Sequence, residues 1–398
     1  MVATKTTNLM TASWQWAIRP PDERYASLQE MLEASAVIRQ QSRESEIKIG
    51  RIKVVNEAEN LYITDNTNEA RAIPTHYSFA QLCHLLDFPP SSIQEKKLSA
   101  DLAAKVLNYR LGKVAQDKDI VALTQTNGHV KLRSITSTKY SRLWNEDLIR
   151  ALLPLQQNGW VVPPALAIND DPRARPATKD DLTGISAGGG KRIEVGDMIS
   201  PSGLYMSDRD MFIFMVNKQN RIDDGTEDGL YRGFFFTNSE VGASAVKGKT
   251  FLFRGVCGNH IIWSAQNVIE FSYKHVGEVQ KRAFDAIASK LNTYNNAGTQ
   301  EIEVKIKWLK EHNIANDEDG VVDEVRKMDI LGLGKKKIEA AYDLATKYAD
   351  VDFASPRSWW GLSQGVSRLS QETLYTDKRN ELDIASGHIL NIGVKVSN

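Results

Sequence analysis

Between Gly203 and Cys257 strand-type runs follow one another: "GLYMS", "MFIFMVN", "YRGFFFTN" and "TFLFRGVC". The segments between them, including the acidic "RIDDGTEDG", hold no helical pattern. A doubly wound sheet needs a helix between consecutive strands, whereas strands that follow strands pair antiparallel. The stretch therefore predicts an α+β fold with a mixed, mainly antiparallel sheet. From about Val276 the texture turns helical, as in "GEVQKRAFDAIASKLNTY", "IEVKIKWLKEH" and "KKKIEAAYDLATKYA". The expected organisation is an N-terminal arm and helix over 1–45, an α+β core domain over 46–275 and a helical C-terminal region over 276–398.

Local signals fill in the first half. Pro20-Pro21-Asp22 predicts the opening of a helix on which Leu28, Met31, Leu32, Ser35 and Ile38 share a face. Ser78 and Gln81 in "SFAQLCHLL" form a capping-box pattern. Asn127-Gly128, inside "DIVALTQTNGHVKLRSI", predicts a hairpin with a type I′ turn. Asn145 is the expected N-cap of "NEDLIRALLPL". Residues 168–198, rich in Asp, Pro, Gly and Arg, predict a mobile loop.

Composition sets limits on partners and compartment. A chain of 398 residues, 41% hydrophobic, buries a sizeable core without staples. Its 50 basic and 50 acidic residues give a net charge of +0. That balance argues against a whole-surface polyanion binder and leaves room for a local basic groove. Cys83 and Cys257 are the only cysteines, so a secreted disulfide framework is not expected and a cytoplasmic location is. The N-terminal "MVATKTTNLMTASWQWAIRPPDER" lacks the apolar core of a signal peptide, and no run approaches the roughly 20 residues of a membrane span.

The stretch "FFFTNSEVGASAVKGKTFLFRGVCGNH" concentrates the candidate chemistry. Asn238, Ser239 and Glu240 read as polar caps at a strand end. Cys257 and His260 have the C-x-x-H spacing of half a zinc site. The other cysteine is followed at once by His84, and structural zinc takes four well-spaced ligands, so no metal and no cofactor is expected. A thiol nucleophile with His260 as base needs an orienting third group that the sequence does not reveal. A different reading takes Lys247, Lys249 and Arg254 as charges, Asn259 and His260 as polar contacts and Trp263 as a stacking face for a nucleic acid. In "DILGLGKKKIEAAYDLA" a Gly-x-Gly turn precedes Lys335, Lys336 and Lys337. It resembles the hairpin of helix–hairpin–helix DNA binders, where backbone N–H groups hold a phosphate. Three lysines in a first turn oppose the helix dipole unless an anion is near. The alternative is a plain connector with solvated lysines.

Other motifs read as structure. Gly188-Gly189-Gly190-Lys191-Arg192 lacks the phosphate-loop spacing, and Asp223, Asp224, Glu227 and Asp228 lack the calcium-loop pattern. Trp359-Trp360 is expected to pack the C-terminal helices.

Several segments together carry a family resemblance: "LRSITSTKYSRLWNEDLIRAL", "LYMSDRDMFIFMVN", "RGFFFTNSEVGASA", "FLFRGVCGNHIIW" and "WWGLSQGVSRLSQ". They are similar to the phage/plasmid-like family that is defined only as a domain of unknown function, number 932. The resemblance implies a mobile-element gene in a bacterial cytoplasm and transfers no catalytic residue. The resulting expectation is a nucleic-acid-binding protein that favours single-stranded DNA, anneals strands and forms a homo-oligomer. The rivals are an enzyme using Glu240, Cys257 and His260, and a counter-defence or structural protein that binds another protein.

Overall fold

The protein is described from a computed structural model that covers residues 21–58, 60–67, 71–94, 98–167, 173–178, 193–201, 203–226, 229–254, 260–261, 270–372 and 376–396. Pro21–Glu23 form only a 3₁₀ turn, and the first helix, α1 (Leu28–Gln41), begins later. Its cap is Ser27, whose Oγ accepts from the Glu30 N–H at 3.1 Å. The expected face is there: Leu28, Met31, Leu32 and Ser35 are buried.

Strands β1 (Ser42–Lys48), β2 (Ile52–Glu57), β3 (Asn60–Asp65) and β4 (Arg71–Pro74) follow. Helices α2 (His76–Leu85) and α3 (Ala100–Leu111) lead to the hairpin β5 (Asp119–Asn127) and β6 (His129–Ser137). These strands make one sheet in the order β1-β5-β6-β4-β3-β2, antiparallel except for the parallel pair β4–β6. The two helices cover it through Phe79, Leu82 and Leu107 against Ile120, Leu132 and Ile135. Edge strand β2 is closed by a side chain: Asn108 accepts from Val54 N at 2.9 Å and donates to Val54 O at 2.7 Å.

Three local expectations change. At the hairpin only Gly128 has a positive φ, +70°, so the turn is not type I′. The cap of α2 is Thr75, whose hydroxyl accepts from Ser78 N at 3.2 Å. Ser78 itself is buried and donates to Leu132 O at 2.7 Å, so it never serves a capping box. Asn145 is the first residue of α4 (Asn145–Leu152), not its cap, and Trp144 at the cap position offers no side-chain acceptor.

Beyond α4 lie β7 (Trp160–Val161), then β8 (Pro164–Leu166), β9 (Arg175–Pro176) and β10 (Met198–Pro201), the last three forming a small sheet of their own. The second large sheet holds β11 (Leu204–Met206), β12 (Met211–Ile222), β13 (Leu230–Asn238), β14 (Val246–Arg254) and β15 (His260–Ile261) in that order. Here β16 (Glu270–Tyr273) pairs with β14 and β7 with β12, and every pairing is antiparallel. One face buries Phe234 and Phe236 against Leu28, Leu148, Trp160 and Val279. The other carries Phe214, Val216, Tyr231 and Phe251.

The rest is helical. Helix α5 (Val279–Asp285) passes through a π-helical stretch, Ala286–Leu291, into α6 (Asn292–Asn296). Helices α7 (Gln300–Glu311), α8 (Glu318–Lys327), α9 (Lys335–Lys347), α10 (Trp359–Glu372) and α11 (Thr376–Val396) complete the chain. Their core holds Trp359, Trp360, Ile338 and Ile389, and it continues onto the sheet through Ile222, Leu230 and Leu252. The fold is thus α+β, with mostly antiparallel sheets and helices gathered in the C-terminal part. Among the described residues no helix is long and apolar enough to cross a membrane.

Candidate functional site

The turn between α8 and α9 is built from alternating burial. Ile330 and Leu333 anchor it in the helical core, while Leu331 between them is 83% exposed. Asp329 (φ +48°) and Gly332 (φ +86°) take left-handed conformations, and Leu333 N donates to Ile330 O at 3.0 Å. Gly334 is the N-cap of α9 and brings no side-chain acceptor. Its carbonyl accepts from Lys337 N at 2.9 Å and Ile338 N at 3.1 Å, so the N–H groups of Lys335 and Lys336 precede the first helical bonds. Lys335 and Lys336 are exposed, and Lys337 Nζ donates to Gly332 O at 2.7 Å. Arg326 and Lys327 end the helix before the turn. Part of this charge is answered locally: Lys327 meets Glu324 at 2.7 Å and Lys335 meets Glu339 at 3.7 Å. Lys336 forms no ion pair among the described residues.

The segment Asn238-Ser239-Glu240 lies at a seam between the two large sheets. In β6 the register passes from Leu132↔Thr124 to Ser134↔Leu123, which leaves Arg133 as the extra residue of a β-bulge. A bulge re-aims its side chain. Arg133 Nη2 reaches Glu240 Oε2 at 2.7 Å, and Nη1 reaches Ser42 Oγ at 3.0 Å. The other Glu240 oxygen accepts from Asn145 N at 2.8 Å, placing a carboxylate at the N-terminus of α4. Asn238 Nδ2 donates to Leu143 O at 2.9 Å and Asn145 Oδ1 at 2.7 Å. Ser239 Oγ donates to Arg209 O at 2.7 Å and accepts from Ala243 N at 2.9 Å. Gln81 bridges the same seam, accepting from Ile135 N and donating to Val241 O.

Beside this seam runs a column that no local pattern in the chain predicts. Arg39 lies over Trp144 at 5.3 Å, and Arg142 lies over both Trp144, at 5.6 Å, and Tyr140, at 5.3 Å. His275 stacks on Tyr140 with ring centroids 5.0 Å apart. Cation–π and ring contacts therefore join α1, the segment after β6 and the end of β16. Burial pushes the His275 imidazole below its ordinary value and the Tyr140 phenol above its own. The only sequence trace is the alternation in "KYSRLW", whose partners are remote in the chain.

The remaining candidates are dispersed. Lys247 is exposed on β14, whereas Lys249 is 7% exposed and its backbone stands opposite Phe235 and Glu270. The backbone of Arg254 pairs opposite Leu230 and that of His260 opposite Phe253. Cys257, Asn259 and Trp263 lie outside the described residues, as do Gly188–Gly190, Lys191, Arg192, Glu227 and Asp228. Asp223 and Asp224 accept from Gly225 N at 2.9 Å and Thr226 N at 3.0 Å, ordinary turn bonds.

Fold and site together describe an α+β protein with a basic, glycine-turned helical hairpin and a polar seam between two sheets. Residues 195–376, from just before β10 to the start of α11, match the model of a family described as a domain of unknown function, DUF932. No curated protein and no solved structure matches the chain.

Proposed function

We propose that the protein binds a nucleic-acid backbone, with the α8–α9 turn as its main phosphate contact. The observation that supports this most is the conjunction at residues 331–337. An exposed leucine, a left-handed glycine, a helix start without a side-chain cap and two exposed lysines share one turn. Backbone N–H groups and the helix dipole favour an anion there, and the lysines add charge without base selectivity. Lys247 on β14 supplies a further exposed cation.

Single-stranded DNA is the favoured partner, and several copies of a chain with zero net charge would share one strand. Strand annealing in a phage or plasmid setting is part of the same proposal. The enzymatic alternative is weakened at Glu240, because Arg133 and Asn145 occupy both carboxylate oxygens. The test is binding to single-stranded DNA, duplex DNA and RNA over a salt series, with sedimentation of each mixture. Failure to bind all of them at low salt overturns the reading.

A further inference from the structure

Arg142 is the most desolvated cation in the column, with its side chain 2% exposed. Its Nε donates to Glu44 Oε1 at 2.8 Å. Its Nη1 and Nη2 are buried and have no hydrogen-bond partner among the described residues. The Nε2 of His275, 4% exposed, is likewise buried and unpartnered. His275 Nδ1 lies 3.3 Å from Ser141 O, so that nitrogen is the one positioned to donate to the protein. Buried polar groups are normally satisfied, and a guanidinium left with two open Nη groups is matched by a bidentate oxyanion. The Arg142 guanidinium also lies over the rings of Tyr140, at 5.3 Å, and Trp144, at 5.6 Å, contacts that restrain its position without satisfying the Nη groups.

We propose that Arg142 is a binding residue for a phosphate-type oxyanion, with His275 beside it as a further polar contact. Glu44, half exposed on the edge strand β1, is the competing anion. The oxyanion must share the guanidinium with that carboxylate, which already holds Nε and competes for its charge. This site uses none of the residues of the α8–α9 turn, so it stands or falls independently of that reading. Its shared chemistry is the phosphate group, whether free or at a strand end.

The test is titration of the full chain with inorganic phosphate, followed by ³¹P NMR and calorimetry. Wild type should bind. Arg142→Lys, which keeps the charge and loses the fork, should weaken binding at least tenfold. Glu44→Gln should tighten it severalfold by removing the competing carboxylate. The opposite signs separate a site from a folding defect, and Lys336→Gln should leave the titration unchanged. Should Arg142→Lys fail to fold, Glu44→Gln and His275→Gln still decide. A parallel arm compares 5′-phosphorylated and 5′-hydroxyl oligonucleotides: preference for the first assigns the phosphate to a strand end, and equal binding with phosphate bound assigns it to a small molecule. No binding by wild type, or binding that neither Arg142→Lys nor Glu44→Gln alters, overturns the proposal.

Discussion

Arg133 donates to Glu240 at 2.7 Å across the seam between the two large sheets, and both side chains are almost wholly buried. Because the pair is desolvated, removing one partner strands the other charge. Glu240→Gln or Arg133→Met should each cost about 3–5 kcal/mol of unfolding free energy. The double variant Arg133→Met/Glu240→Gln should cost clearly less than their sum, as read from urea midpoints. Additive losses would mean that the two groups act separately.

The same pair shows what was legible in the chain. The strand runs, the late helices and the apolar face of α1 follow from local periodicity, and local periodicity is written in adjacent residues. Glu240 is different. It serves Asn145, 95 residues away, and Arg133, 107 away. No spacing rule connects them, which is why Asn145 looked like a cap when a distant carboxylate supplies the acceptor. Ser78 is the same case, since its hydroxyl donates to Leu132, 54 residues away. The α8–α9 turn was legible because its glycines, lysines and apolar anchors all lie within residues 329–345.

Gly365 controls how closely α10 approaches α9. A Cβ at this position would collide with the backbone carbonyl of Ala341, which cannot yield as a side-chain tip can. Gly365→Ala should therefore destabilise by about 1–3 kcal/mol. It should also perturb amide signals at Lys335–Lys337, because α9 carries that turn. Unchanged spectra and stability would show that the helices separate at no cost.

His275 makes stability pH-dependent in a definite direction. Its folded value lies below the ordinary 6.5 because burial disfavours the imidazolium. The unfolded chain then binds the proton first, so stability falls as pH drops below about 6.5 and levels off under the folded value. His275→Gln should flatten the part of the pH–stability curve between about 6.5 and the folded value. A curve parallel to wild type would mean that another group carries the loss.

Cys83 is buried, and burial raises its thiol from 9.0 to about 11. Little thiolate forms near neutrality. In a Cys257→Ser background, a thiol reagent at pH 8 should label Cys83 only after denaturant is added. Rapid labelling of the folded protein would contradict that burial.

The central claim is that the α8–α9 turn grips phosphates, and the salt dependence of binding tests it most directly. Fluorescence anisotropy with single-stranded DNA, repeated over a range of salt, gives the slope of log affinity against log salt. Each phosphate contact on a single strand contributes about 0.7 to that slope. Replacing Lys335, Lys336 and Lys337 together with Gln should lower its magnitude by about 0.7–2, and weaken binding most at low salt. A triple variant that binds as wild type does, with the same slope, would contradict the account and reduce the turn to a connector.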